Sequence, residues 1–199
     1  MLKFKEFTQN GYLTIFDIDD TLFHTTAKII IKKGDKVVKK ITSAEYNTYQ
    51  LGKGESVDFS EFSDAKKFYK ESRPITKMLD KAKAILADTK KHPNNKVIII
   101  TARPDLDDRE TFLNTFKRYG FDISKVRVER AGKIIGMSAA QSKAIIIYNY
   151  LNTKQFNKVR LFDDSINNLK AFLRLEKEFK DIKFTAWHAH LDGSVNQIR

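Results

Sequence analysis

The sequence predicts an α/β protein on a mostly parallel sheet. Short β-prone runs alternate along the chain with amphipathic helical segments, and acidic or hydroxyl residues stand where those runs end. Strands alternating with helices form right-handed βαβ units, so a three-layer, Rossmann-like domain is expected, with ligands bound beyond the carboxyl ends of the strands. A length of 199 residues suits one domain carrying an insertion, and 15 Phe and 7 Tyr within a hydrophobic fraction of 41% supply its core. The absence of cysteine excludes disulfide frameworks, thiolate zinc sites and cysteine nucleophiles, and suits a reducing compartment. Apolar runs are too short to span a bilayer, and the first ten residues, MLKFKEFTQN, hold no continuous hydrophobic stretch, so a soluble, cytoplasmic protein without a membrane partner is expected. Lys and Arg number 37 against 25 Asp and Glu; the net charge of +12 favours anionic partners such as phosphates, nucleotides or nucleic acid.

Tyr12 to Phe16 is the first strand, and it must stop at Asp17, because Asp17, Asp19 and Asp20 are too many carboxylates for a strand interior. From His24 to Arg73 the alternation breaks. Lys28 to Ile41 reads as a strand, a Gly34-Asp35 turn and a second strand, with Lys32, Lys33, Lys36, Lys39 and Lys40 as a solvated face. Residues 24–73 are therefore predicted as a small cap inserted after the first strand, and residues 1–23 and 74–199 as the core. Phe59 to Tyr69 has weak helical spacing that Pro74 cannot continue. Met78, Leu79, Ala82, Ile85 and Leu86 stripe one helix, and Phe112, Leu113 and Phe116 another that closes at Gly120. Between them Val97 to Ile100 is an uninterrupted apolar run, as a strand buried on both faces requires. Val126 to Val128, Val159 to Phe162 and Ile182 to Ala186 are further strands. Ser138 with Gln141 forms a capping box for a helix from Ala139 to Leu151, and Ser165 is placed to cap a helix carrying Leu169, Phe172 and Leu173.

In a parallel sheet these strand ends share one edge, which gathers Asp17, Asp19, Thr101, Asp163 and Asp164. Carboxylates so placed repel one another unless a cation neutralises them, and hard oxygen ligands suit Mg²⁺. Carboxylates, a hydroxyl and a metal together fit a phosphoryl group, whose transfer depends on charge neutralisation and positioning, and a lysine is still needed for balance.

These residues resemble the haloacid dehalogenase-like (HAD) superfamily. Asp17-Ile18-Asp19-Asp20-Thr21 is similar to its D-x-D-x-T signature, Ile98 to Arg103 to its second motif, and Leu161 to Ser165 to its fourth; Lys143 matches the third, with Lys133 as competitor. The resemblance implies a HAD-like phosphatase in which Asp17 is the nucleophile, Asp19 the acid and base, and Thr101 and Lys143 stabilise the phosphoryl group. It implies Mg²⁺ held by Asp17, the main-chain carbonyl of Asp19, Asp163 and, directly or through water, Asp164. Substrate contacts fall to Thr101, Ala102 and Arg103, although Arg103 equally suits a local ion pair. Thr21 takes a hydrogen-bonding role in the loop, and Asn168 one behind the metal ligands. Within the superfamily Thr101-Ala102-Arg103, Asp107 to Glu110 and Phe162-Asp163-Asp164 are most similar to the phosphatase domains of polynucleotide kinase/phosphatases and to small phage-type phosphatases. No G-x-x-x-x-G-K-[ST] accompanies them, which excludes a kinase half. The expected substrate is a nucleotide or a terminal phosphate of nucleic acid; a small-metabolite phosphatase and a catalytically silent nucleic-acid-binding module are the alternatives. His24 and the pair His188 and His190 are read as loop and strand residues without metal, and Tyr46, Tyr49, Phe59, Phe62, Phe68 and Tyr69 mainly as packing between cap and sheet. Oligomeric state stays open.

Overall fold

The structure, a computed structural model, describes residues 11–46, 48–134 and 136–199. The predicted core residues 1–10 lie outside that range. In chain order the elements are β1 (Gly11–Phe16), β2 (Phe23–His24), β3 (Ile29–Lys33), β4 (Lys36–Ile41), α1 (Ser43–Tyr46), β5 (Glu55–Asp58), α2 (Ala65–Glu71), β6 (Arg73–Pro74), α3 (Thr76–Asp88), β7 (Lys96–Thr101), α4 (Arg109–Lys117), β8 (Arg127–Arg130), α5 (Ala139–Leu151), β9 (Phe156–Asp163), α6 (Ile166–Arg174), β10 (Lys183–Ala189) and β11 (Val195–Gln197). The central sheet runs β11-β10-β9-β1-β7-β8, parallel throughout except for β11, which returns antiparallel along β10.

Strand periodicity builds the layers. Val97 and Ile99 point to one side with Phe16 and meet Met78, Leu79 and Ala82 of α3 and Phe112 and Phe116 of α4; Ile98 and Ile100 point to the other with Leu13 and Ile15 and meet Ile147 of α5 and Leu169 and Phe172 of α6. Both faces of the sheet are thereby covered, which explains the unbroken apolar run in β7. The capping box forms as read, with Ser138 Oγ accepting from Gln141 N and Gln141 Oε1 accepting from Ser138 N. At α6 the expectation changes. Ser165 sits at the N-cap position, but its side chain makes no capping bond to the helix; its amide instead donates to Asp163 Oδ1 at 2.9 Å.

The insertion leaves and re-enters through a two-residue ladder, Phe23 opposite Pro74 and His24 opposite Arg73. Within it β4, β3 and β5 form a three-stranded antiparallel sheet over a small core of Ala27, Ile29, Ile31, Ile41 and Phe62. Gly34, at φ 58°, makes the turn the sequence places there. That core ends at Phe62, while Ala65 and Phe68 of α2 pack into the main core beside α4. No described helix is long and apolar enough to cross a membrane.

Candidate active site

β1 lies between β9 and β7, so the chain departs from it to opposite sides and leaves a crevice at the carboxyl ends of β1 and β9. Asp17 follows β1 directly, and its amide donates to Phe162 O at 3.0 Å, tying the two strand ends together. The chain then turns sharply. The Thr21, Leu22 and Phe23 amides converge on Ile18 O, and Asp20 takes a left-handed φ of 57° that aspartate tolerates. Thr21 is fully buried, but its hydroxyl finds no hydrogen-bond partner among the described residues, so the bonding role expected of it is not seen.

Lys143, on the second turn of α5, reaches Asp17 Oδ1 at 2.6 Å and Asp163 Oδ2 at 2.7 Å, with all three side chains nearly inaccessible. Asp163 Oδ1 also accepts from Asn168 Nδ2 at 2.8 Å, which fixes the carboxylate plane from behind. Lys133, the competing lysine, instead pairs with Asp105. Asp17, Asp163 and Asp164 each offer an oxygen within 4.8 Å of the others. Burial pushes the Asp17 carboxyl up to about 8; Lys143 pulls it down, while Asp163 and Asp19 add to the rise. Burial, then the neighbouring Asp163 and Asp17, push Asp164 up to about 9. Burial acts to lower the Lys143 ammonium, but Asp163 and Asp17 outweigh it and hold it above its usual value. Asp17, Asp163 and the half-buried Asp164 face one lysine, with no ion pair at Asp164 among the described residues, so the three carboxylates ionise together only where a cation joins them. The donor set is all oxygen, and a hard divalent cation such as Mg²⁺ fits it.

Asp19 stands apart from that group. Both its oxygens are taken by Arg103, Nε to Oδ2 at 2.9 Å and Nη2 to Oδ1 at 2.6 Å, while Nη1 donates to Phe62 O at 3.1 Å. The Arg103 guanidinium is 1% exposed and lies over the Phe68 ring at 4.2 Å. Of the two roles open to Arg103, the structure shows the local ion pair: a buried fork with its donors aimed at Asp19 and Phe62 O. Thr101 Oγ1 accepts from Arg103 N at 3.1 Å and the residue is 1% exposed, while Ala102 and Pro104 line the crevice. Gly132 closes the same wall; a Cβ there would stand 2.2 Å from Ala102 O.

Above the carboxylates opens a cavity of about 600 Å³, between the insertion and the core loops. Tyr46, Phe59 and Phe62, expected mainly as packing, line it, and so do Ile134 and Met137, which sequence reasoning missed because nothing in their spacing marks them. His188 Nε2 donates to Asp164 O at 2.9 Å, steadying that loop, and the rings of His188 and His190 meet edge to face at 4.5 Å outside the carboxylate group. His24 Nδ1 lies 3.1 Å from Asp20 Oδ1.

A family model described as "Protein of unknown function (DUF2608)" matches residues 4–148. No curated protein matches. Among solved structures the chain is similar to the HAD domain of effector protein Lem4 from Legionella pneumophila, at 10% identity and a TM-score of 0.53 over 90% of this chain and 87% of that one.

Proposed function

We propose, from the premise that the chain belongs to the DUF2608 family and has a HAD-like fold, that it is a Mg²⁺-dependent phosphomonoester hydrolase working through an aspartyl-phosphate on Asp17. The observation that carries this reading is the Lys143 ammonium set between buried Asp17 and Asp163, with the half-buried Asp164 beside them. Asp17, Asp163 and Asp164 would hold the cation, which when bound supplies charge neutralisation for the phosphoryl oxygens. Asp17 attacks phosphorus as the ester P–O bond breaks, and Asp19, protonated from solvent on an oxygen freed from the Arg103 fork, gives that proton to the leaving oxygen. Water then attacks phosphorus, Asp19 takes a proton from it, and the bond to Asp17 breaks to release inorganic phosphate. Lys143 orients the nucleophile and offsets its charge. The Thr101 hydroxyl, which accepts from Arg103 N, keeps its own proton to donate to a phosphoryl oxygen.

The lack of cysteine suits work in the reducing cytoplasm. A silent nucleic-acid-binding module has no need of buried carboxylates gathered round a lysine, since desolvating them is costly. Nucleotides and nucleic-acid ends draw their support from the net charge of +12 and from motif likeness alone. The test is phosphate release from a panel of a phosphorylated oligonucleotide, a nucleoside monophosphate, a sugar phosphate and an aryl phosphate, with Mg²⁺ and with chelator. Release should require Mg²⁺ and fall on the order of 10⁴-fold or more in Asp17→Asn, with the circular dichroism spectrum unchanged. Equal release by the folded variant would sink the reading.

A further inference from the structure

The cavity above Asp17 is apolar where a polyanion would need cations. Tyr46, Val57, Phe59 and Phe62 of the insertion face Ile134 and Met137 across it. Phe59 is 38% exposed and Met137 48%, so neither is accounted for by core burial. Among the described lining residues Lys143 is the one cation, and it is committed to Asp17 and Asp163. Most basic residues that adjoin the lining in the chain or the fold are already engaged, Lys28 beside Ile29 being one that forms no ion pair among the described residues. Lys32 pairs with Asp58, Lys40 and Lys67 with Glu61, Lys133 and Arg130 with Asp105, and Arg103 with Asp19. A nucleic-acid end would bring its further phosphates against aromatic rings, with no uncommitted guanidinium or ammonium among the described lining residues to meet them. A sugar would lose water from its hydroxyls for few partners in return. An apolar alcohol suits these walls, and a volume of about 600 Å³ lies within the range of small-ligand sites.

Resting on the phosphohydrolase reading, we propose that this cavity selects small phosphomonoesters whose alcohol is uncharged, apolar and of aromatic size, and that Phe59 and Met137 determine that choice. The +12 charge then belongs to the outer surface and not to substrate recognition.

The comparison that tests this pairs substrates with similar leaving groups, 2-phenylethyl phosphate and glycerol phosphate, alongside a nucleoside monophosphate and a 3′-phosphorylated dinucleotide. The aromatic ester should have a kcat/KM at least about 10-fold above the others. In Phe59→Ser and Met137→Ser that ratio should collapse toward unity. Preference for glycerol phosphate, the nucleotide or the dinucleotide, or a ratio untouched by both variants, overturns the proposal. Phosphonates, which cannot be hydrolysed, separate it from the chemistry it rests on: calorimetry with Mg²⁺ should show 2-phenylethylphosphonate binding at least about 10-fold more tightly than 2-hydroxyethylphosphonate. That selectivity without turnover of any ester would sustain the apolar site and sink the hydrolase, whereas equal binding would sink the site.

Discussion

Arg103 grips both oxygens of Asp19 and spends its third arm on the Phe62 carbonyl, so the group assigned to proton transfer is held through a residue that also touches the insertion. The oxygen of Asp19 that carries the proton must release its arm of that fork. Arg103→Ala leaves a buried carboxylate unpaired, at a cost of about 3 kcal/mol, and thermal denaturation should show a Tm lowered by about 6 to 12 °C. Arg103→Lys keeps the charge but not the fork; kcat should fall on the order of 10-fold or more with KM little changed in steady-state assays. The carboxylates make a second prediction. Asp17 and Asp164 hold protons in the folded protein up to about 8 and about 9, well above the unfolded aspartate value of 3.8. The folded state thus binds more protons than the unfolded one, and the metal-free protein should lose stability as pH rises through that window. Mg²⁺ competes with those protons, so the rise in Tm on adding it should grow between about pH 6 and about pH 9, by a few °C, and vanish in Asp163→Asn. The positions of Asp17, Thr101 and Asp163 were legible in the sequence because each stands where a strand ends, whereas Lys143 came from the likeness to the HAD third motif, with Lys133 as competitor. The partner of Arg103 was not legible, since it lies 84 positions away and is set by packing alone.

Elements legible in the sequence are those whose pattern repeats. β7 and α5 declare themselves by an apolar run and a capping box. Glu55–Asp58 and Val195–Gln197 are short and largely polar, and they become strands only because β3 and β10 offer them an edge. The segment joining β8 to α5 was equally opaque, yet it places Gly132 against the Ala102 peptide. In Gly132→Ala the new methyl group would meet Ala102 O at 2.2 Å and push the Thr101–Arg103 turn aside. Steady-state assays should find kcat/KM lowered on the order of 10²-fold, with far-UV circular dichroism retained.

At the scale of the molecule, the α/β class followed from the alternation, and a separate three-stranded sheet stands where that alternation breaks. Net charge suggests a partner class without placing it, because a sum over residues does not say where the charges stand. Many lysines stand exposed on the outer faces of the hairpin and helices, where a polyanion would meet scattered charge rather than an ordered site. An oligonucleotide should therefore bind weakly and lose affinity steeply with salt, as fluorescence anisotropy would show, without inhibiting hydrolysis of an aromatic phosphomonoester.

The ladder of Phe23 with Pro74 and His24 with Arg73 brings the two ends of the insertion side by side, roughly 5 Å apart as in any antiparallel pair. A segment hung from adjacent threads can be lengthened, shortened or exchanged without moving either attachment point. The hairpin and its sheet are thus a replaceable part, and the fold can acquire a new clientele while the chemistry beneath stays where it is. Phe62 marks where such an exchange must stop, because the carbonyl that anchors Arg103 belongs to the machine and not to the attachment.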